Sequence, residues 1–221
     1  MATQPPPEAQ VSLRQKIWDH TLGGLIEGLR EAKELEVAGR HKDAAVKRAS
    51  VWYSYRIVPG FLSLAVGEVQ RTIRIIGGNI DRLSDGQCDV IGTVMIAHRN
   101  FFVAENFLLA GLMKNPVPHS EALLRIGMAE VCCYSGRSDE EVLDYLNGAL
   151  RLRRDVENEQ DNVQALRQFC RVLLRAALLH RRRGMIGLAE DLYTRALMIA
   201  TDPVTGSAGQ KFKVRLGWKF G

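Results

Sequence analysis

Cysteine is scarce in this chain and follows no ligand or staple pattern. Cys88, Cys132, Cys133 and Cys170 are the only four in 221 residues, with no C-x-x-C pair and no cysteine–histidine spacing of a zinc site. A disulfide-dense small domain and a zinc module are thereby excluded, and the thiols are expected to be buried and reduced in an intracellular, cytoplasmic protein. Long apolar runs are missing as well. The longest uncharged stretch, Ile57 to Gly67, has 11 residues and includes Pro59, whereas a spanning helix needs about 20 apolar residues; no membrane span is expected. The first ten residues, MATQPPPEAQ, lack a basic stretch followed by an apolar run, and Glu8, Asp19 and Glu27 come too early for a transit peptide. Residues 1–10 are expected to form a flexible arm held extended by Pro5, Pro6 and Pro7.

Catalytic signatures are equally absent. The chain has no G-x-x-x-x-G-K-[ST], no G-x-G-x-x-G after a strand, no H-E-x-x-H and no G-x-S-x-G. His20, His41, His98, His119 and His180 form no i, i+4 pair. His98 and His180 fall late in their helices, where capping is the expected role. Cys132 and Cys133 cannot face one site on a helix, so one of them belongs to the core. The expectation is a protein that is not an enzyme and carries no cofactor and no metal.

Positive charge of wide extent is lacking too. The formal charge is +5, and Lys211, Lys213, Arg215 and Lys219, in an acid-free stretch from residue 203 to 221, account for four of it. Phosphate binding needs cations clustered on the folded surface. Two small clusters remain, Arg151 with Arg153 and Arg154, and Arg181 to Arg183, and both close apolar-periodic segments, where cations complement the helix dipole.

What the chain does contain is helical periodicity from Val11 to Ala200. Leu62, Ala65, Val66, Val69, Ile73 and Ile76 recur at spacings of three and four, with Glu68, Gln70, Arg71 and Arg74 between them, and Gly77-Gly78-Asn79 marks the stop. Arg137-Ser138-Asp139-Glu140-Glu141 marks a start, with a serine cap and acids in the first turn. Short connections imply antiparallel neighbours.

Helix pairs repeat a pattern of small residues about a central turn. In LLRAALLHRRRGMIGLAEDLYTRALMIATDP, Ala177 precedes Gly184 by seven positions, while Ala189, Tyr193 and Ala196 follow it by five, nine and twelve. Gly92, Ala104 and Gly111 stand at the corresponding positions about Arg99, with Pro116 closing the unit. Ala129, Gly136 and Ala149 repeat it with a turn one residue longer and with Tyr134 displaced from the aromatic position, and Ala32, Gly39 and Ala44 form a weaker copy. The pattern resembles the tetratricopeptide repeat, and LAEDLYTRALMIA is similar to the repeats of kinesin light chains. Turns at 39, 99, 136 and 184 are unevenly spaced, so extra helix must lie between copies. An unrelated helical bundle, whose helix contacts also use small residues, is the alternative.

The resemblance implies an all-α fold of antiparallel helix pairs over 11–202, stacked as an irregular right-handed superhelix; residues 203–221 are expected to follow it as a short extended tail. It further implies a groove lined by the first helix of each pair, holding a partner peptide or helix. Asp89, Thr93, Ile96, Ile126, Glu130, Cys133, Arg171, Leu174, Leu178 and Arg181 would face that groove. Arg171 and Arg175 match the last basic pair of a chaperone-binding carboxylate clamp. Asp89, Thr93 and Gly127 stand where the clamp needs a lysine and two asparagines, so a complete clamp is not expected and the arginines are read as surface residues.

In the tail, Phe212, Val214, Leu216, Trp218 and Phe220 alternate with Lys211, Lys213, Arg215 and Lys219. This is a strand-like period of two, fit either to dock on a partner's sheet edge or to cap the last helix. Lys211, Phe212, Lys213, Arg215, Trp218 and Phe220 are its expected contact residues. The function expected is a protein-binding adaptor or scaffold subunit of a larger assembly or homo-oligomer; the alternative is an RNA-associated helical-repeat protein using the arginine clusters and the tail.

Overall fold

The computed structural model describes the backbone of residues 13–56, 58–152 and 163–201, and the side chains of residues 22–56, 58–138, 140–152, 170 and 172–201. Nine α-helices lie among the described residues: α1 Leu13–Val37, α2 His41–Ser54, α3 Phe61–Ile76, α4 Asp85–Ala97, α5 Phe101–Leu112, α6 Pro118–Tyr134, α7 Asp139–Arg151, α8 Val163–Arg182 and α9 Ile186–Thr201. A 3-10 turn, Ile80–Arg82, stands before α4. No strand occurs among the described residues. The ends are set by local chemistry. Ser84 opens α4 with a reciprocal capping box, its hydroxyl accepting from the Gln87 amide at 3.2 Å while Gln87 Oε1 accepts from the Ser84 amide at 3.1 Å. Ser138 accepts from the Glu141 amide at the start of α7, and Pro118 begins α6.

The four repeat turns share one closure. Gly39, Arg99, Gly136 and Gly184 all take positive φ, between 59° and 76°. In each turn the next residue's amide reaches back five positions: Arg40 to Leu35, Asn100 to Met95, Arg137 to Cys132 and Met185 to His180. This closure satisfies the last carbonyls of the first helix and reverses the chain within two or three residues. α7 starts three residues beyond Gly136, whereas α2, α5 and α9 start two beyond Gly39, Arg99 and Gly184.

Consecutive helices pack as pairs, α1 on α2, α2 on α3, α4 on α5, α6 on α7 and α8 on α9. A second set of contacts skips one helix: α2 touches α4, α4 touches α6, and α6 touches α8. These four form an unbroken row. α2 therefore belongs to the row, with α3 as its additional partner, so the extra helix between the copies at Gly39 and Arg99 is α3.

The crossings depend on missing side chains. Ala32, Ala44, Ala104, Ala129, Ala149, Ala177, Ala189 and Ala196 have no exposed surface. Leu108 of α5 sits between α4 and α6, where a Cβ on Gly92 would come within 2.6 Å of it and one on Gly127 within 2.9 Å. In the first pair the sizes are exchanged: Val51 occupies the position held by Gly111 and Ala196 elsewhere, and Gly28 opposite makes room, a Cβ there falling 2.6 Å from Val51. α6 is the shared wall of two core clusters, giving Leu124, Met128 and Val131 to the one reaching α2 and Ala122, Ile126, Ala129 and Cys132 to the one reaching α9.

Ion pairs lace the stack at its edges. Arg48 of α2 bonds Glu68 of α3 at 2.9 Å and Glu36 of α1 at 3.0 Å, and Arg71 bonds Glu36 at 2.6 Å. The two guanidiniums, Arg71 first, hold the Glu36 carboxyl below the ordinary carboxylate range. Arg137 joins Glu105 of α5, at 2.6 Å, to Glu141 of α7, at 2.8 Å.

Arg99 is the one repeat turn without glycine, and a side chain in the left-handed region costs about 1–2 kcal/mol. Glycine also loses more freedom on folding, by roughly 0.5–1 kcal/mol. Arg99→Gly is therefore expected to stabilise the protein by about 0.5–1 kcal/mol, read as a higher urea midpoint with unchanged slope; a lower midpoint would show that the turn geometry is not the governing term.

Candidate functional site

The expected groove residues distribute over three helices of the row. Asp89, Thr93 and Ile96 on α4 are 5%, 5% and 8% exposed. Asp89 is joined to Thr93 one turn on by a long hydroxyl contact of 3.4 Å. Ile126 on α6 has no exposed surface at all, because it is enclosed by the core between α6 and α8. It holds the row together instead of lining a groove. Glu130 and Cys133 on α6 and Leu174 and Leu178 on α8 are half-buried, and Arg181 is exposed. Arg171 lies on α8 with its side chain outside the described residues. The tail residues Lys211, Phe212, Lys213, Arg215, Trp218 and Phe220, and the arm at 1–10, also lie outside the described residues.

Arg175 corrects the expectation of a surface arginine. Its side chain is only 14% exposed and forks onto Glu130 of α6, 16% exposed, with Nε donating to Oε1 at 2.9 Å and Nη2 donating to Oε2. Its remaining Nη1 is buried without a partner. Burial disfavours the guanidinium charge, but the facing carboxylate of Glu130, which also accepts its hydrogen bonds, outweighs burial and raises the guanidinium pKa, with Asp89 of α4 adding to the effect. The pair is already neutralised, so Arg175 is not free to receive a terminal carboxylate. Breaking such a pair leaves a buried charge, which costs more than the pair itself contributes.

At the turn ends, Tyr134 stacks on Phe101 with centroids 5.9 Å apart and planes 18° apart. The Arg182 guanidinium lies 5.1 Å from the Tyr134 ring and donates to its hydroxyl. The displaced tyrosine of the third copy therefore links the ends of α6 and α8 to the start of α5. Sequence spacing gives no sign of this, because the three residues come from separate segments.

The cysteines divide as expected for a helix. Cys132 is buried and Cys133 half-buried. Burial pushes the Cys132 thiol up to about 11, with Glu141 adding to the effect, and burial does the same to Cys88. Neither is poised as a nucleophile. A depression of about 410 Å³ opens between α6 and α7, lined by Arg125, Asp144, Asn147, Gly148 and Arg151 among others. Arg125 in its wall is held by Glu121 at 2.7 Å. Among the described residues no group of three or more His, Cys, Asp or Glu side chains could hold a metal ion, and no helix is long and apolar enough to cross a membrane.

His180 differs from the expected cap. Its ring is 2% exposed, with Nδ1 3.4 Å from Met185 Sδ and Nε2 buried without a partner. Burial first, and Arg183 second, hold its pKa below 6.5. The unfolded chain takes up this proton near pH ~6.5, before the folded form does, so stability contributed by neutral His180 is lost as pH falls from ~6.5 toward the folded value. Thermal midpoints between pH 7.5 and 5 are expected to decline in the parent and to decline less in His180→Leu; equal slopes in the two would refute this assignment.

Compared with known proteins, the chain matches no family model, no curated protein and no solved structure, so the tetratricopeptide-like reading rests on its own residue pattern and helix pairing.

Proposed function

We propose that this protein is a non-enzymatic, tetratricopeptide-like interaction module that holds a peptide or helix of a protein partner along the row α2, α4, α6 and α8. The observation that carries the reading is the recurrence of one closure at residues 39, 99, 136 and 184, with small residues buried at fixed offsets from it. Repetition of one paired unit, with second-neighbour contacts between units, is how solenoid scaffolds present a continuous binding surface. The row offers a mixed surface: apolar at half-buried Leu174 and Leu178, polar at Glu130 and cationic at Arg181. Such a surface suits a partner segment with apolar anchors better than a phosphate backbone. The basic-aromatic tail would supply a second contact.

The test is affinity capture from native lysate at low and high salt, using the full chain, a version ending at Asp202, and Leu178→Asp with its helical content checked by circular dichroism. A protein retained at high salt by the full chain and lost from Leu178→Asp is the expected result, and loss on truncation would assign the tail its contact. Recovery of RNA that disappears at high salt, with no protein retained, would overturn the reading in favour of phosphate contacts.

A further inference from the structure

One flank of α5 is where the next unit of the stack docks. Counted from the turn at Arg99, Phe101, Glu105 and Leu108 stand two, six and nine positions on. Phe101 stacks on Tyr134 of α6, Glu105 bonds Arg137 of the following turn at 2.6 Å, and Leu108 lies against Gly127 of α6. Leu108 therefore has no exposed surface. In α9 the same offsets from Gly184 fall on Ile186, Glu190 and Tyr193. Ile186 is 49% exposed, Glu190 is exposed, and Tyr193 and Leu197 are half-buried. Positions 186, 190, 193 and 197 form a single stripe of a helix, and no described helix follows α9 to cover it.

The stripe asks for a cover of definite chemistry. Glu190 has no ion partner among the described residues, and the neighbouring Arg195 is bonded to Asp191 at 3.0 Å. The position that meets a guanidinium in α5 thus holds an open carboxylate in α9, set between apolar side chains. The chain continuing from Thr201 has the matching composition. Five apolar residues from Phe212 to Phe220 alternate with Lys211, Lys213, Arg215 and Lys219, and no acid occurs from 203 to 221. Pro203, Gly206, Ser207 and Gly209 come first, residues suited to reversing the chain. The spacings agree as well. Leu197 and Glu190 are seven positions apart, about 10 Å of helix, which three residues of extended chain also span. Ile186 is eleven positions from Leu197, about 17 Å, within reach of six extended residues.

We propose that residues 211–220 lie back along α9, antiparallel to it, as the cover of this flank, with Phe212 on Leu197, Arg215 beside Glu190 and Trp218 on Ile186. In an extended chain Phe212 and Trp218 share one face, which turns inward, while Arg215 on the other face reaches Glu190 at the rim along its own stem. Lys211, Lys213 and Lys219 stay outward, open to a partner. The cover itself needs no partner, so it is tested on the isolated chain and separately from the groove.

Hydrogen exchange followed by mass spectrometry is the test. In the full chain, amides of residues 212–220 are expected to exchange about tenfold or more slower than in a free peptide of the same sequence, equally at about 1 and about 100 μM protein. In a chain ending at Asp202, residues 186–197 should exchange about tenfold faster than in the full chain. Arg215→Glu and Glu190→Arg should each speed exchange of the tail about threefold or more, and the two together should return it to the parent rate. Tail amides exchanging at the peptide's rate, protection that grows with concentration and so marks a second copy as the cover, α9 exchange unchanged by truncation, or a double variant no better than the single ones would each overturn the proposal.

Discussion

Close approach of helices at positions without side chains is the constraint on which the rest of this structure depends. Leu108 can lie between α4 and α6 only because Gly92 and Gly127 leave it room, and that one side chain fastens a pair to the next unit. Where the rule is broken, a compensating change appears: Val51 stands at a position occupied elsewhere by glycine or alanine, and Gly28 has moved opposite it. Size complementarity is therefore kept while the individual residues vary, as jigsaw packing requires. The consequence for architecture is that the helices of the row come close enough for each to touch its second neighbour.

Polar groups are then confined to places where the packing permits them. Glu130 and Arg175 face each other across α6 and α8 and satisfy most of each other's hydrogen-bonding capacity. Such a pair adds little net stability but penalises any register of α8 that separates the two charges. The network of Glu36, Arg48, Glu68 and Arg71 does the same for α1 to α3 nearer the surface. His180 is one exception: its ring is buried with Nε2 unpartnered and Nδ1 against Met185 Sδ, which makes the α8–α9 hairpin sensitive to acidification below pH ~6.5.

Much of this was legible in the sequence because it is encoded locally. The turns at Gly39, Gly136 and Gly184, the stop at Gly77 and the cap at Ser138 all act within five residues of chain, and the small residues announce themselves by their offsets from those turns. Even Arg99 was recognisable as a turn residue from its neighbours, although glycine is absent there. The candidate site was less legible. Glu130 and Arg175 are 45 positions apart, and no spacing rule says that these two charges meet. Ile126 has the helical phase of a groove residue, but α6 is buried on two sides, so phase alone places it on the wrong surface. Likewise, a histidine near a helix end reads as a cap until the neighbouring hairpin is seen to enclose it.

The most direct measurement of the central claim is the stability of variants that enlarge the buried small residues, compared with the same change outside a crossing. Ala149→Leu and Ala196→Leu, at positions with no exposed surface, are expected to lose about 1–3 kcal/mol in urea unfolding through overpacking, while Ala38→Leu, at an exposed position, should stay within about 0.5 kcal/mol of the parent. Equal stability of all three would contradict the account, because close helix approach could not then be what holds the pairs together.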